Sequence, residues 1–245
     1  MGVYMINNLF GYDLENSSVM EVVDRLLVSK SQGVLHRVVT LNPEMVVLAE
    51  RNLIAKTWLT RADTIVADGY GIKWASWVLC KGPVCIVSGI ELVFQLLQQK
   101  DLTFYFVGSS QDIITNAISR SKKLYPNVRI VGSSHGYFSE FDVPEIINSI
   151  TDVNPDVIFV GMGFPKQEYF IQTLSQYCSS GIVIGVGGAL EVLSGNKKLA
   201  PTWISSRGGE WIFRAMQDPK RIFRWKYLFY FIIFTFQHLF SSNND

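Results

Sequence analysis

The chain has 245 residues, enough for one large domain with a sizeable core and too many for a small disulfide-stapled module. Apolar residues make up 48% and charged residues 18%, with a mean hydropathy of +0.20, which excludes disorder and calls for a membrane or a partner. The 22 Lys plus Arg against 21 Asp plus Glu leave +1, so overall charge gives no support to a nucleic-acid partner.

The first segment, MGVYMINNLFGYDLENSS, lacks a basic stretch followed by an apolar one, so no signal peptide is expected and the protein is expected on the cytoplasmic side. Six short apolar runs then end in small or polar residues: HRVVTLN (36–42), DTIVADG (63–69), TFYFVGSS (103–110), VRIVGSS (128–134), DVIFVGMG (156–163) and GIVIGVGG (181–188). Near-continuous apolar runs suit strands buried on both faces of a parallel sheet. Between them PEMVVLAERN, GIKWASWVLC, QDIITNAISRSKKLY, VPEIINSI and PKQEYFIQTLSQY carry helical periodicity. The alternation predicts an α/β fold, with ligands at the carboxyl ends of the strands.

Composition changes near residue 196. Residues 197–245 hold eight Lys or Arg against three Asp or Glu, a balance of +5 that leaves −4 for the rest, together with three of the six Trp and the run YLFYFIIFTF at 227–236. A membrane span needs roughly 20 apolar residues, and this run has ten before Gln237 and His238, so it is expected to lie in a membrane surface. A second reading makes it the core helix of a dimer interface, which leaves a homo-oligomer open.

Several residues suit chemistry. Asp68 ends the run TIVA in a Gly-flanked turn, where it reads equally as a general base for an alcohol or as a helix N-cap. Thr40 and Asn42 end the first strong run before Pro43, placed to meet phosphate or sugar hydroxyls, with Asn42 as an N-cap the competing reading. FVGSS at 106–110, GMGFPKQE at 161–168 with Lys166 and Gln167, and GVGGALEVLSGN at 185–196 are turns whose backbone N–H groups suit a diphosphate. None is a dinucleotide or P-loop fingerprint, which counts against an oxidoreductase. Arg214, Arg221 and Arg224 would share one face of a continuous helix and grip a lipid diphosphate or anionic head groups, unless Pro219 breaks the segment. Three Cys and three His without close pairing give no protein-built metal site.

TLNPEMV at 40–46, ADGYGIKWAS at 67–76, GMGFPKQE, GVGGALEVLSG at 185–195 and APTWISSRGGEWIFRAMQDPKRIFRWKYL at 200–228 together resemble the WecG/TagA/CpsF glycosyltransferases, in order and over nearly the whole chain. The resemblance implies a Rossmann-like α/β core (1–196) and a C-terminal helical appendage (197–245) that meets the membrane and completes the active site. It implies an inverting, metal-independent transferase with no cofactor. The donor would be a UDP-sugar carrying N-acetylmannosamine, N-acetylmannosaminuronate, glucose or a similar sugar. The acceptor would be polyprenyl-diphosphate-linked, in cell-surface polysaccharide synthesis at the cytoplasmic membrane face. Asp68 matches the family's catalytic base, Thr40 and Asn42 its pocket polar pair, Gln167 its nucleotide-side glutamine, and Arg214, Arg221 and Arg224 its diphosphate-holding arginines. Two positions depart from the pattern: Ile86 and Leu199 stand where the family usually has arginine. They motivate the rival reading, a membrane-attached binding subunit that descends from such an enzyme with impaired catalysis.

Overall fold

A computed structural model describes residues 5–80, 82–205, 208–218 and 223–241. Eight strands form one sheet: β1 (Met5–Leu9), β2 (Tyr12–Asn16), β3 (Leu35–Leu41), β4 (Thr64–Ala67), β5 (Thr103–Gly108), β6 (Arg129–Ser134), β7 (Val157–Gly161) and β8 (Gly181–Gly185). Their order is β1-β2-β4-β3-β8-β7-β5-β6, and every neighbouring pair except β1–β2 is parallel. The fold is Rossmann-like α/β. The antiparallel edge is a two-residue hairpin that sequence reading did not anticipate. Phe10 and Gly11 both take positive φ, 56° and 82°, the backbone that matches the twist of the flanking strands.

The helices are α1 (Val19–Ser31), α2 (Pro43–Glu50), α3 (Leu53–Thr60), α4 (Tyr70–Leu79), α5 (Gly89–Leu97), α6 (Gln111–Leu124), α7 (Val143–Val153), α8 (Lys166–Leu174), α9 (Ala189–Leu193), α10 (Thr202–Ser205), α11 (Glu210–Gln217) and α12 (Trp225–Ser241). Short polar side chains fix where several begin. Ser18 with Glu21 and Ser88 with Glu91 form capping boxes for α1 and α5, and Asn42, Asn52 and Ser110 cap α2, α3 and α6.

The apolar strand runs bury both faces by strict alternation. Phe104, Phe106, Phe159, Ile182 and Ile184 face one layer, with α1, α5 and α9; Tyr105, Val107, Ile158, Val160 and Val183 face the other, with α7 and α8. A second cluster on that other side packs Val39, Leu41 and Ile65 against α2, α4 and α12.

The C-terminal helix departs from expectation. It runs 17 residues, straight through Gln237 and His238, because the His238 ring packs on Phe10 at 5.1 Å and on Phe234 at 4.4 Å instead of breaking the apolar surface. Phe231 is fully buried in the chain's own core, edge-on to Phe10 at 5.7 Å, and the buried side of α12 packs on α2 and α4. Among the described residues no helix is long and apolar enough to cross a membrane. Truncating the fully buried ring should leave a large cavity: Phe231→Ala is expected to lower stability by about 3–5 kcal/mol, read as a shifted urea midpoint.

Candidate active site

Parallel strands direct their carboxyl ends to one edge of the sheet, and there a cavity of about 830 Å³ opens. Five strand ends contribute to it: Thr40 and Asn42 at the end of β3, Asp68 after β4, Ser109 after β5, Gly161 and Met162 at the end of β7, and Val186–Gly188 after β8. The C-terminal helices and the residues just before them add a mostly aromatic wall, with Trp211, Trp225, Tyr227, Leu228, Phe231 and Ile232 beside Glu210 and Arg224. Polar strand-end side chains together with a largely apolar helical wall suit a ligand that is polar at one end and greasy at the other. Among the described residues that line it, Lys166 and Arg224 are the Lys and Arg side chains.

Asp68 is half-buried in this cavity, and its backbone N–H donates to the Leu41 carbonyl at 2.8 Å. The N-cap reading fails, because Gly69 and not Asp68 occupies the cap position of α4. For Asn42 the capping reading holds: its Oδ1 accepts the Met45 N–H at 3.1 Å while the residue lines the cavity. Thr40 is buried, and its hydroxyl donates to the Gly185 carbonyl at 3.0 Å. Gln167 is buried too, with its Oε1 accepting the Gly187 N–H at 3.1 Å and its Nε2 donating to Glu168 Oε1 at 2.7 Å. Thr40 and Gln167 thus border the cavity but spend these polar groups on the protein's own backbone and Glu168.

The turns hold their backbone tightly. Gly108, at φ 127°, lies so close to β7 that a Cβ would sit 2.3 Å from the Gly161 carbonyl oxygen, and the Ser109 N–H donates to that oxygen. Lys166 Nζ donates to the Gly136 carbonyl at 2.8 Å and sits 4.9 Å over the Phe138 ring, at the cavity edge.

The expected arginine stripe is not one helix face. Arg214 belongs to α11, whereas Arg224 immediately precedes α12, because α11 ends at Gln217 before Pro219. Arg224 lines the cavity and is ion-paired with Glu44 at the start of α2, with its Nε 2.9 Å from Glu44 Oε1. The Arg214 side chain and the whole of Arg221 lie outside the described residues. Ile86 forms a parallel bridge with Ala67, one residue before Asp68, and Leu199 is exposed; neither lines the cavity.

Sequence reading missed Glu168. Its motif GMGFPKQE was singled out, but a carboxylate in an amphipathic helix gives no sign that the fold will bury it. Burial pushes its pKa up from 4.5 to about 7. An acid held neutral in the folded state favours folding most below its unfolded pKa, and that contribution is lost as pH rises through 7. Between pH 4.5 and pH 8 the wild type should therefore lose on the order of 3 kcal/mol more stability than Glu168→Gln, measured by urea unfolding at both values.

A family model described as Glycosyl transferase WecG/TagA/CpsF family matches residues 7–244. Similar curated proteins include the N-acetylglucosaminyldiphosphoundecaprenol N-acetyl-beta-D-mannosaminyltransferase of Bacillus spizizenii, 32% identical over 219 residues that cover 88% of this chain and 84% of the relative. Proteins of the same name from Staphylococcus aureus strains MW2 and NCTC 8325 are 34% identical over 225 residues, covering 89% of this chain and 87% of each relative.

Proposed function

Because the chain belongs to the WecG/TagA/CpsF family of glycosyltransferases, we propose that it transfers an N-acetylmannosamine-type sugar from a UDP donor to a polyprenyl-diphosphate-linked N-acetylglucosamine, with inversion at the anomeric carbon. The observation that carries this reading is the cavity, which joins Asp68 at a strand end to a mostly aromatic wall drawn from α11 and α12. Asp68 takes the proton of the acceptor hydroxyl, whose oxygen attacks the anomeric carbon from the face opposite the departing UDP. The C–O bond to UDP breaks as the new glycosidic bond forms, and charge gathers on the diphosphate. Lys166, which lines the cavity, is proposed to meet that charge. Arg224 joins Lys166 if the arginine leaves Glu44, and Arg214 and Arg221 are proposed to complete the grip.

The relatives' names support the sugar, the β linkage and the lipid diphosphate. A β-linked product from an α-linked donor is an inversion. The exposed side of α12, with Phe229, Tyr230, Ile233 and Phe240 beside Lys226, supports seating at the cytoplasmic membrane face, where a lipid-linked acceptor is held. The impaired-subunit reading has less to stand on, since the relatives that match over most of this chain are themselves transferases by name.

A panel of UDP-sugars with a short-chain GlcNAc-diphosphate lipid tests the reading through UDP release. We expect UDP-N-acetylmannosamine to be the best donor. Dispersed His and Cys and the lack of a DxD sequence further lead us to expect full activity in excess EDTA. Loss on chelation with recovery on adding Mg²⁺ or Mn²⁺ would overturn the metal-independent step.

A further inference from the structure

We propose that Glu168 is a positioning residue: acting through Gln167, it fixes the turn Gly185–Gly188 that lines the cavity beyond β8. Only the choice of UDP as the ligand rests on the donor reading above; the clamp itself is geometric. Besides the Ala189 N–H bond to the Val186 carbonyl at 3.0 Å, three bonds tie the turn to β3, β7 and α8. Thr40 Oγ1 donates to the Gly185 carbonyl at 3.0 Å, the Val186 N–H donates to the Val160 carbonyl at 2.8 Å, and the Gly187 N–H donates to Gln167 Oε1 at 3.1 Å.

The third bond depends on which end of the Gln167 carboxamide faces Gly187. Oxygen and NH₂ ends have nearly the same shape, so shape does not choose between them. Two partners choose together: Glu168 Oε1 accepts from Gln167 Nε2 at 2.7 Å, and the Gly187 N–H donates to the amide oxygen, so without Glu168 a single bond holds the orientation. With no acceptor at 168 the amide can flip and set a donor against the Gly187 N–H. The space for this pair is itself built in: a Cβ on Gly185 would lie 2.6 Å from Gln167 Nε2 and 3.3 Å from Glu168 Oε1.

Packing alone does not call for this carboxyl. Glu168 is 5% exposed, and its Oε2 is buried with no hydrogen-bond partner, a burden that an apolar side chain of similar size avoids. Thr40 and Gln167, two of the polar residues that the sequence pointed to, therefore work on the same short turn from opposite sides, and Glu168 helps to set Gln167.

The test compares Glu168→Gln, which keeps the acceptor oxygen, with Glu168→Leu, which keeps approximate volume and removes it. Hydrogen exchange is followed in peptides spanning 183–190 without ligand, and UDP affinity is measured by calorimetry. Glu168→Leu should unfold at a midpoint no lower than wild type at pH 8, yet exchange faster at the turn and bind UDP about three- to tenfold more weakly, the worth of one hydrogen bond. Glu168→Gln should match wild type in exchange and affinity. Gln167→Leu should loosen the turn equally, and adding Glu168→Leu to it should change nothing more, because the two act as one unit.

Wild-type exchange and affinity in Glu168→Leu, or additive effects in the double variant, would overturn the proposal. If Leu is not accommodated, Glu168→Met carries the same comparison. A wild type that does not bind UDP would refute the donor reading instead, and the exchange data would still decide the clamp.

Discussion

Asp68→Asn is expected to lower turnover by roughly 10²–10⁴-fold while leaving the unfolding midpoint and UDP affinity near wild type. The substitution preserves size and removes basicity. It also removes no helix cap, because Gly69 and not Asp68 occupies that position on α4. The backbone bond from residue 68 to the Leu41 carbonyl does not involve the side chain and is kept. Steady-state UDP release with saturating acceptor measures the effect, and an Asp68→Asn enzyme of wild-type turnover would end the assignment of this residue as base.

Replacing Phe229, Ile233 and Phe240 together by Ser is expected to weaken binding to anionic vesicles at least 100-fold, with the fold intact. These side chains lie on the outer surface of α12, Phe229 and Phe240 at 62% and 65% exposure, whereas Phe231 between them is fully buried. Inserting a large apolar side chain into lipid is worth roughly 1.5–3 kcal/mol, so three partial insertions account for the factor. Transfer to a short-chain soluble acceptor should survive, because none of the three lines the cavity. Deleting residues 227–245 would give a different result, since it strips Phe231 from the core and Tyr227, Leu228 and Ile232 from the cavity wall. Undiminished co-sedimentation of the triple variant with liposomes would contradict a membrane-facing α12.

The parallel sheet was legible because strands buried on both faces must be apolar at nearly every position, and runs such as DVIFVGMG and GIVIGVGG show this without any partner in view. The hairpin β1–β2 was not, because NNLFGYDL lacks a strong turn dipeptide and Phe10 takes positive φ only in the folded context. The cavity position of Asp68 followed from its place after an apolar run, but its capping role turned on where α4 begins, and the fold makes Gly69 the cap. Arg224 read as a grip for a lipid diphosphate or head groups, yet the fold also sets it against Glu44, 180 residues away in sequence. Glu168 was hidden for the same reason: burial of a carboxylate comes from packing of α8 against β7 and β8, not from its neighbours in the chain.

The central claim is inverting transfer from a nucleotide sugar, with Asp68 as the base. It is tested most directly by isolating the product formed from UDP-N-acetylmannosamine and a short-chain GlcNAc-diphosphate lipid, and assigning its new anomeric centre by NMR. The account predicts a product of configuration opposite to the donor's, formed with one UDP released per linkage and nearly absent with Asp68→Asn. Retained configuration, or equal product from Asp68→Asn, would contradict it.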